Sequence, residues 1–554
     1  MKKGKSNISN RELIKFLSFS FFIVLTLLPI IYVYVSNFSF DNYFLILKDR
    51  RQQENFLRTV KLGFGVMFLS IFFGVTAALL LEYCDLPLRN YLRILLIIPL
   101  LIPPYITTIS WLMFLGKAGD FVERWEPIPG RSVMPSSQNN IVNIQSQNIQ
   151  FQKRERTKYL PFDFDLDVYN LKFAIIFLSL SLFPIIFLIT SMALRNLDLR
   201  LEEAARLLYP QKIVLRKITL PLILPHVIAS GLFVFIFAVS ELGVVSALRV
   251  FTINMEVFAH FSAFFDLDQA LGISFPLVIL IAIIILLFHF SLGKKEFFTL
   301  TSFSREKRMI KLTRLQKILG ISFIISLLIF STIIPLFVLI VESKFMLIES
   351  FLKAKKPFIN TIFLGILSAT LMTLLSFFVA YFSDRKFDPL IFSPLIVPSS
   401  AVGIGLIALW NRPIIEAIYG SFFILVIGYL GRFLPFTIKT LTPFFKQIHP
   451  NLEESARTLG ASFLMIVKKI LFPLMKHGLI VAWMVGFILC LRELSISVLV
   501  TPAGFQTLAN RIFTLYHYGE MESVASLSLI LVLIILIPFF LFTLFFHSSK
   551  RRIN

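Results

Sequence analysis

The sequence predicts an all-α, polytopic membrane protein with about twelve transmembrane helices in two pseudo-symmetric six-helix halves. Three observations lead to this fold class: an apolar composition, a series of long apolar runs, and an internal repeat. Of the 554 residues, 57% are hydrophobic and 16% are charged, with a mean hydropathy of +0.82. A water-soluble chain averages about 25% charged residues, so lipid rather than water is expected to cover much of this surface.

Twelve apolar segments of about 20 residues, the length that crosses a bilayer as a helix, account for the predicted spans. They run over 14–35, 60–82, 93–115, 172–194, 221–244, 270–291, 318–341, 359–382, 389–410, 418–438, 474–497 and 525–546. The first segment follows a basic stretch and precedes no Ala-x-Ala-like cleavage site, so we expect a retained span rather than a signal peptide. An even number of spans places both termini on the same side of the membrane.

The basic residues predict the orientation. The formal net charge is +22, and the lysines and arginines cluster between the apolar runs. The basic loops at 195–217, 294–317 and 439–469 fall on the side of the termini, which is then the cytoplasmic side. This distribution indicates contact with the lipid bilayer and argues against nucleic acid as a partner. Cys84 and Cys490 fall in different halves and are expected to be core residues.

The internal repeat divides the chain. The Pro-rich run at 99–103 returns at 394–398, the Glu-Ala-Ala-Arg segment at 203–206 returns at 454–457, and Glu-Leu at 241–242 returns at 493–494. We therefore predict a first half over 1–292, a cytoplasmic basic linker over 293–317 and a second half over 318–554. Because each half has an even number of spans, the halves are related by an axis along the membrane normal. The first half holds a polar insert at about 117–170, either a flexible external loop or a contact arm for an external partner.

Two loops of the repeat are each predicted to carry a short helix. These segments are Glu203, Ala204, Ala205, Arg206 in the first half and Glu454, Ser455, Ala456, Arg457 in the second. In the second copy, Asn451 has the spacing of an N-cap with Glu454 as its capping-box partner. Gly460 is expected to end this helix in a left-handed conformation. A short helix presented twice by equivalent loops suits docking to a two-fold partner.

These loops carry a resemblance to a known family. The spacing Glu-Ala-Ala, three residues, Gly, nine residues, Ile-x-Leu-Pro resembles the coupling-loop signature of ABC importer permeases. The second copy matches at positions 454, 456, 460, 470 and 473, whereas the first has Tyr209 in place of the usual Gly. The runs at 99–105, 429–435, 493–497 and 502–509 look similar to fused two-half permeases of the ferric-iron type. Thiamine, phosphonate and polyamine permeases share much of this motif pattern.

The resemblance implies the permease subunit of an ATP-driven, binding-protein-dependent importer in the bacterial cytoplasmic membrane. Its implied partners are two ABC ATPase subunits at the two loops and an external substrate-binding protein. Ferric iron is the first implied substrate and thiamine the second, with phosphonate and polyamine as further alternatives. We expect no cofactor, no resident metal and no enzymatic activity, because the sequence lacks a P-loop, a His-Glu-x-x-His pair and a G-x-S-x-G elbow. A twelve-helix secondary transporter is the alternative from another class.

Three ionisable residues are candidates for lining the translocation path. Glu241 and Glu493 occupy equivalent repeat positions, and Arg432 lies within the tenth predicted span. A charge there costs about 2.5–3.5 kcal/mol on insertion scales, so each needs a function or a partner. A carboxylate pair lining the path would attract a cation, and pairing of Arg432 with a glutamate is the structural alternative. The prolines of the two Pro-rich runs are expected either to break helices beside the path or only to shape packing.

Overall fold

The computed structural model describes residues 2–36, 49–115, 167–197, 199–291, 309–344, 346–413, 416–518 and 520–551. Within these ranges the chain is helical, with one isolated β-bridge between Cys84 and Ile310. Most of the predicted insert at 117–170 and of the predicted linker at 293–317 lies outside the described residues. The fold class predicted from the sequence, an all-α polytopic membrane protein, is confirmed.

The helices of the first half follow one another in a regular order. They are α1 Lys2–Thr26, α2 Leu28–Ser36, α3 Arg50–Tyr83, α4 Arg89–Leu101, α5 Pro104–Phe114, α6 Leu171–Arg195, α7 Leu199–Leu208, α8 Gln211–Ser240, α9 Gly243–Ala247, α10 Ile253–Phe264 and α11 Leu267–Ser291.

The second half repeats this order and adds two short helices, α13 and α17. Its helices are α12 Arg314–Glu342, α13 Leu347–Lys353, α14 Lys355–Phe382, α15 Asp388–Leu395, α16 Ser399–Trp410, α17 Glu416–Tyr419, α18 Phe423–Lys446, α19 Pro450–Thr458, α20 Phe463–Arg492, α21 Ser495–Val500, α22 Leu508–Tyr518 and α23 Met521–Arg551.

Nine helices in the described ranges are long and apolar enough to cross a membrane, or eleven spans if each of two bent helix pairs counts as one. The predicted number of about twelve is therefore not confirmed. The segment predicted at 14–35 forms two helices, α1 and α2, separated at Leu27. Three charged residues, Arg11, Glu12 and Lys15, shorten the apolar part of α1, and α2 has only nine residues.

Two features of the backbone recur in both halves. The Pro-rich runs bend the chain by 89° between α4 and α5 and by 89° between α15 and α16, so the spans predicted at 93–115 and 389–410 are not straight helices. The helices α8 and α20 each contain a π-helical turn, at Leu215–Thr219 and at Val467–Leu471. Pro221 and Pro473 follow these turns closely, and each removes an N–H from the helical ladder, which accounts for the wider turn.

The first long helix of each half packs against the other half. Helix α1 packs against α14 and α18 of the second half, and α2 packs against α16. Phe22 and Leu25 of α1 are part of the second half's hydrophobic core. Conversely, α12 packs against α3 and α5 of the first half, and Ile324 and Leu327 enter a core cluster there. The two halves are therefore held together by exchanged helices as well as by the surfaces that meet at the centre.

Candidate coupling loops and translocation path

The first loop helix, α7, contains the predicted segment. Ala205 is buried, Ala204 is exposed, and the Arg206 guanidinium lies 5.9 Å from the centre of the Tyr83 ring at the end of α3. Glu203 lies in α7 by its backbone, while its side chain is outside the described residues. The Tyr83 hydroxyl also hydrogen-bonds to the Thr219 hydroxyl at 2.9 Å, in the π-helical turn of α8. Tyr83 thus joins the loop helix to two long helices.

The second loop helix, α19, begins earlier than predicted. His449 rather than Asn451 is the N-cap: its ring Nδ1 accepts a hydrogen bond from the Asn451 N–H at 3.3 Å. Pro450 occupies the first turn, where its missing N–H costs nothing, so the helix starts ahead of the residue that the capping-box spacing indicated. The predicted capping box with Glu454 is therefore wrong. Glu454, Ser455 and Arg457 are exposed, and Ala456 is partly buried.

Gly460 ends this helix as predicted. Its φ is +80°, a left-handed conformation that glycine adopts without a steric cost. The Gly460 N–H donates to the Arg457 carbonyl at 2.9 Å, and the Ala461 N–H donates to the Ala456 carbonyl at 3.0 Å, which together form a Schellman motif. The first loop ends differently: the Tyr209 N–H donates to the Ala205 carbonyl, φ at Tyr209 is not positive, and Pro210 directly precedes the next helical turn.

A carboxylate that was not predicted anchors the second loop helix. Glu453 accepts a hydrogen bond from the Tyr381 hydroxyl of α14 at 2.7 Å and pairs with Arg457 at 3.1 Å. Its neighbour Glu454 is exposed. The adjacent glutamates therefore differ: one ties the loop to the bundle, and the other presents a charge to the surroundings.

Leucines at equivalent positions project from the two loop helices. Leu208 is 77% exposed and Leu459 is 89% exposed, and each follows its Glu-Ala-Ala or Glu-Ser-Ala segment at the same distance in sequence. Leu207 beside the first of them is 87% exposed. Apolar side chains exposed on a short polar helix are typical of a protein contact surface.

A buried ion triad stabilises the bundle close to the first loop helix. Glu82 of α3 accepts from Arg195 of α6 at 3.0 and 2.8 Å and from Arg93 of α4 at 2.8 Å. Arg195 is the last residue of α6, just before α7. The sequence analysis did not identify this triad, because its members come from three helices and no local motif connects them.

The path candidates meet where the halves touch. A Cβ placed on Gly243 would lie 2.6 Å from the Tyr105 Cβ and 3.0 Å from Leu494 Cδ2, so the backbone after Glu241 lies directly against the second half. Glu241 and Glu493 are charged neighbours of each other, each at the end of its long helix, α8 or α20. Both glutamates keep part of their surface exposed.

Arg432 is buried in α18, 3% exposed, with Glu493 as its charged neighbour. Its Nη1 donates to the Val397 carbonyl at 2.7 Å, in the bend between α15 and α16. Arg492, which the sequence analysis placed only beside Glu493, is near both glutamates. In the described part of the chain, no group of three or more His, Cys, Asp or Glu side chains is arranged to hold a metal ion.

Comparison with known proteins gives matches to both halves. The family model described as "Binding-protein-dependent transport system inner membrane component" matches residues 70–293 and again residues 361–553. Each half of the repeat thus carries one match, and both loop helices lie within the matched residues.

Individual relatives are more distant. The spermidine/putrescine transport system permease protein PotC of Escherichia coli (strain K12) is 25% identical over 188 residues, which cover 32% of this chain and 70% of that protein. Its counterpart in Haemophilus influenzae is 23% identical over 183 residues, again 32% and 70%. The putative 2-aminoethylphosphonate transport system permease protein PhnV of Salmonella paratyphi A is 26% identical over 144 residues, which cover 26% of this chain and 54% of that protein.

Proposed function

The chain belongs to the family of binding-protein-dependent transport system inner membrane components, and from this membership we propose that it is the complete translocation subunit of an ATP-driven ABC importer, with both permease halves in one polypeptide. The observation that carries the proposal is the duplicated loop helix. Two equivalent helices expose Leu208 and Leu459 at matching positions, as two copies of one docking surface would for a pair of ATPase subunits.

The contacts of the loop helices suggest how ATPase movement reaches the membrane helices. In the second half, Glu453 transmits a displacement of α19 to Tyr381 and hence to α14. In the first half, Arg206 and Tyr83 connect α7 to α3, and Thr219 connects Tyr83 to α8. Ala204, Ala205, Ser455 and Ala456 keep both loop helices slim enough to enter a groove. Helices moved from one end in this way open the path alternately to either side of the membrane.

The loop-helix end is assigned to the cytoplasm. The ATPases bind ATP there, and the basic loops at 195–217 and 439–469 lie at this end, in accord with the positive-inside rule. Both termini are also placed in the cytoplasm of a bacterium in this proposal, which requires that α1 and α2 together cross the membrane once in addition to the eleven spans. An external substrate-binding protein delivers the solute at the opposite end. Nothing in this role requires catalysis by the chain itself.

For the substrate, we propose an amine-bearing small solute ahead of ferric iron. The relatives are named for spermidine/putrescine and for 2-aminoethylphosphonate, all of which carry primary amines. The earlier expectation of ferric iron, with thiamine second, gains no support from these relatives. Glu241 and Glu493 line the path in this proposal, and Arg432 holds the bend of the second half beside it.

The test is uptake into proteoliposomes that contain this chain with its cognate ATPase, and binding protein outside. Putrescine and 2-aminoethylphosphonate are offered in parallel with ferric citrate and thiamine. We expect uptake that requires ATP, and Glu454→Lys should reduce it at least tenfold, because the exposed carboxylate is placed in the ATPase contact. Glu416→Lys, an exposed charge reversal in α17, is the matched control and should leave uptake unchanged.

Two results would contradict the proposal. Uptake that ignores ATP and follows an ion gradient would favour the secondary-transporter alternative. Full ATP-driven uptake in the Glu454→Lys variant would remove α19 from the coupling role while leaving the importer class in place.

A further inference from the structure

The place where the halves meet contains charges of both signs in close proximity. Glu241 comes from the first half, and Glu493, Arg492 and Arg432 come from the second. Tyr105, at the start of α5, packs against Gly243 and is a neighbour of both Glu241 and Arg492. Buried opposite charges normally form direct pairs. Here none of the four charged side chains makes an ion pair within 4 Å in the described structure.

Three of these four groups hydrogen-bond to the backbone. Glu241 accepts from the Gly243 and Val244 N–H groups. Glu493 accepts the Ile496 N–H at 2.7 Å and has Arg432 as its charged neighbour. Arg432 is almost fully buried and donates to the Val397 carbonyl. Glu493 and Arg432 are therefore held by backbone groups of the second half.

The other groups retain unused polar atoms. Arg492 Nε and the Tyr105 hydroxyl are both buried without a hydrogen-bond partner. Tyr105 is only 2% exposed, whereas Arg492 and Glu241 each keep part of their surface open. An unpartnered buried donor costs about 1–3 kcal/mol, so a solute that accepts hydrogen bonds from both groups is favoured here.

We propose that Glu241, Arg492 and Tyr105 form a transit site for a small zwitterion, a solute with an ammonium group and an oxyanion group. The ammonium group lies at Glu241, while the oxyanion accepts hydrogen bonds from Arg492 Nε and the Tyr105 hydroxyl. This inference rests on the proposed importer function and narrows its substrate class. A polyamine, which carries only positive charge, has no group for Arg492 here, and a simple anion has no group for Glu241.

The repeat gives the site a direction. Arg492 has Ser240 at the equivalent position of the first half, and Arg432 has Ser181. The carboxylates are thus supplied by both halves, whereas both guanidinium groups come from the second half. Glu241 of the first half and Arg492 of the second therefore orient a zwitterion, with its ammonium group at Glu241 and its oxyanion between Arg492 and Tyr105, which a site built only from symmetric residues would not achieve.

The experiment measures binding to the purified full-length chain in lipid nanodiscs by isothermal titration calorimetry at neutral pH. The probes are 2-aminoethylphosphonate, ethylphosphonate, which lacks the amine, and putrescine, which lacks the oxyanion. We expect the zwitterion to bind at least tenfold more tightly than either single-sign analogue. Glu241→Gln should weaken binding of the zwitterion at least tenfold and leave the affinity for ethylphosphonate unchanged. Arg492→Gln should abolish the zwitterion's advantage over putrescine.

Tyr105→Phe removes one hydroxyl and no packing volume, so it tests the site even if a charge variant fails to fold. It should weaken the zwitterion about threefold to tenfold. Glu349→Gln, an exposed change in α13, is the control and should alter nothing. Equal binding of the three probes, no binding of the zwitterion, or unchanged affinity in Tyr105→Phe would overturn the site. The importer proposal fails separately, through the loss of ATP dependence in the uptake assay.

Discussion

Substitutions in the Glu82 triad should have unequal effects that follow from the exposure of its members. The Glu82 side chain is 4% exposed, Arg93 is 22% exposed and Arg195 is 49% exposed. The carboxylate is therefore cut off from water, whereas both guanidinium groups can still reach it. Consequently, the carboxylate depends on the arginines more than the arginines depend on the carboxylate.

The contacts give the expected loss of unfolding free energy for each substitution. Arg195→Met removes two hydrogen bonds but leaves Arg93 on the carboxylate, so about 1 kcal/mol of unfolding free energy should be lost, given that Arg195 is half exposed. Glu82→Gln should cost about 2 kcal/mol, since both arginines can turn to water. Combined Arg93→Met and Arg195→Met leaves a bare buried carboxylate and should cost about 3–5 kcal/mol. Replacing all three residues by methionine should recover most of that loss.

Equilibrium unfolding in mixed detergent micelles, followed by tryptophan fluorescence, measures these differences. The decisive comparison is between the double and the triple variant, because only the triple removes the stranded charge. If the double variant is no less stable than Arg195→Met alone, or if the triple is no more stable than the double, the charge-balance reasoning is wrong. Since Arg195 lies only four residues before the start of the first loop helix, the double variant should also lose ATP-coupled uptake.

Three further substitutions test local geometry. Gly243→Ala should lower the thermal unfolding midpoint, because its Cβ would lie 2.6 Å from that of Tyr105; Gly420→Ala, with its nearest contact at 3.4 Å, is the control. Gly460→Ala should lower the free energy of unfolding by about 1–2 kcal/mol, because alanine is strained at a φ of +80°. An added Cβ meets no atom within 4 Å, so no steric clash contributes, and backbone hydrogen exchange at the end of α19 should become faster. Hydrogen bonds from Lys317 and from the Leu312 N–H lower the pKa of Asp85 below its ordinary value of 3.8. The Asp85 carboxylate therefore stabilises the fold at pH values above 3.8, and this stabilisation is lost as the pH falls through the lowered pKa. Asp85→Asn should therefore have a lower thermal unfolding midpoint than the parent protein at pH 7, and this difference should disappear by about pH 2. An equal difference at both pH values would contradict the assignment.

The sequence contained enough information for the fold class because hydropathy and repetition are properties of local stretches of chain. The nine apolar segments that became unbroken spanning helices needed no knowledge of their neighbours. Gly460 was predicted to be left-handed because its place after a short helix admits few alternatives. The Pro-rich runs were expected either to break helices or only to shape packing, and the 89° bends decide for broken helices, since proline removes a backbone donor wherever it stands.

The errors and omissions have physical causes. Asn451 is a stronger capping residue than His449 by statistics, but Pro450 favours an earlier helix start and the histidine ring provides the acceptor. The anchoring role of Glu453 depends on a tyrosine 72 positions away, at the end of another helix. The proximity of Arg492 to Glu241 as well as to Glu493 could not be foreseen, because Glu241 belongs to the other half of the chain.

Because each half packs against the first helix of the other, the N-terminal helices can reach their final packing only after the second half has been synthesised. Helices α1 and α2 leave the ribosome first, yet the surfaces that receive them belong to α14, α16 and α18, which follow roughly 350 to 420 residues later. At about 5–20 residues per second, that interval is on the order of 20–80 seconds. During this time the N-terminal helices wait in the bilayer without their partners, and a membrane chaperone or quality-control protease has its longest opportunity to act on the nascent chain.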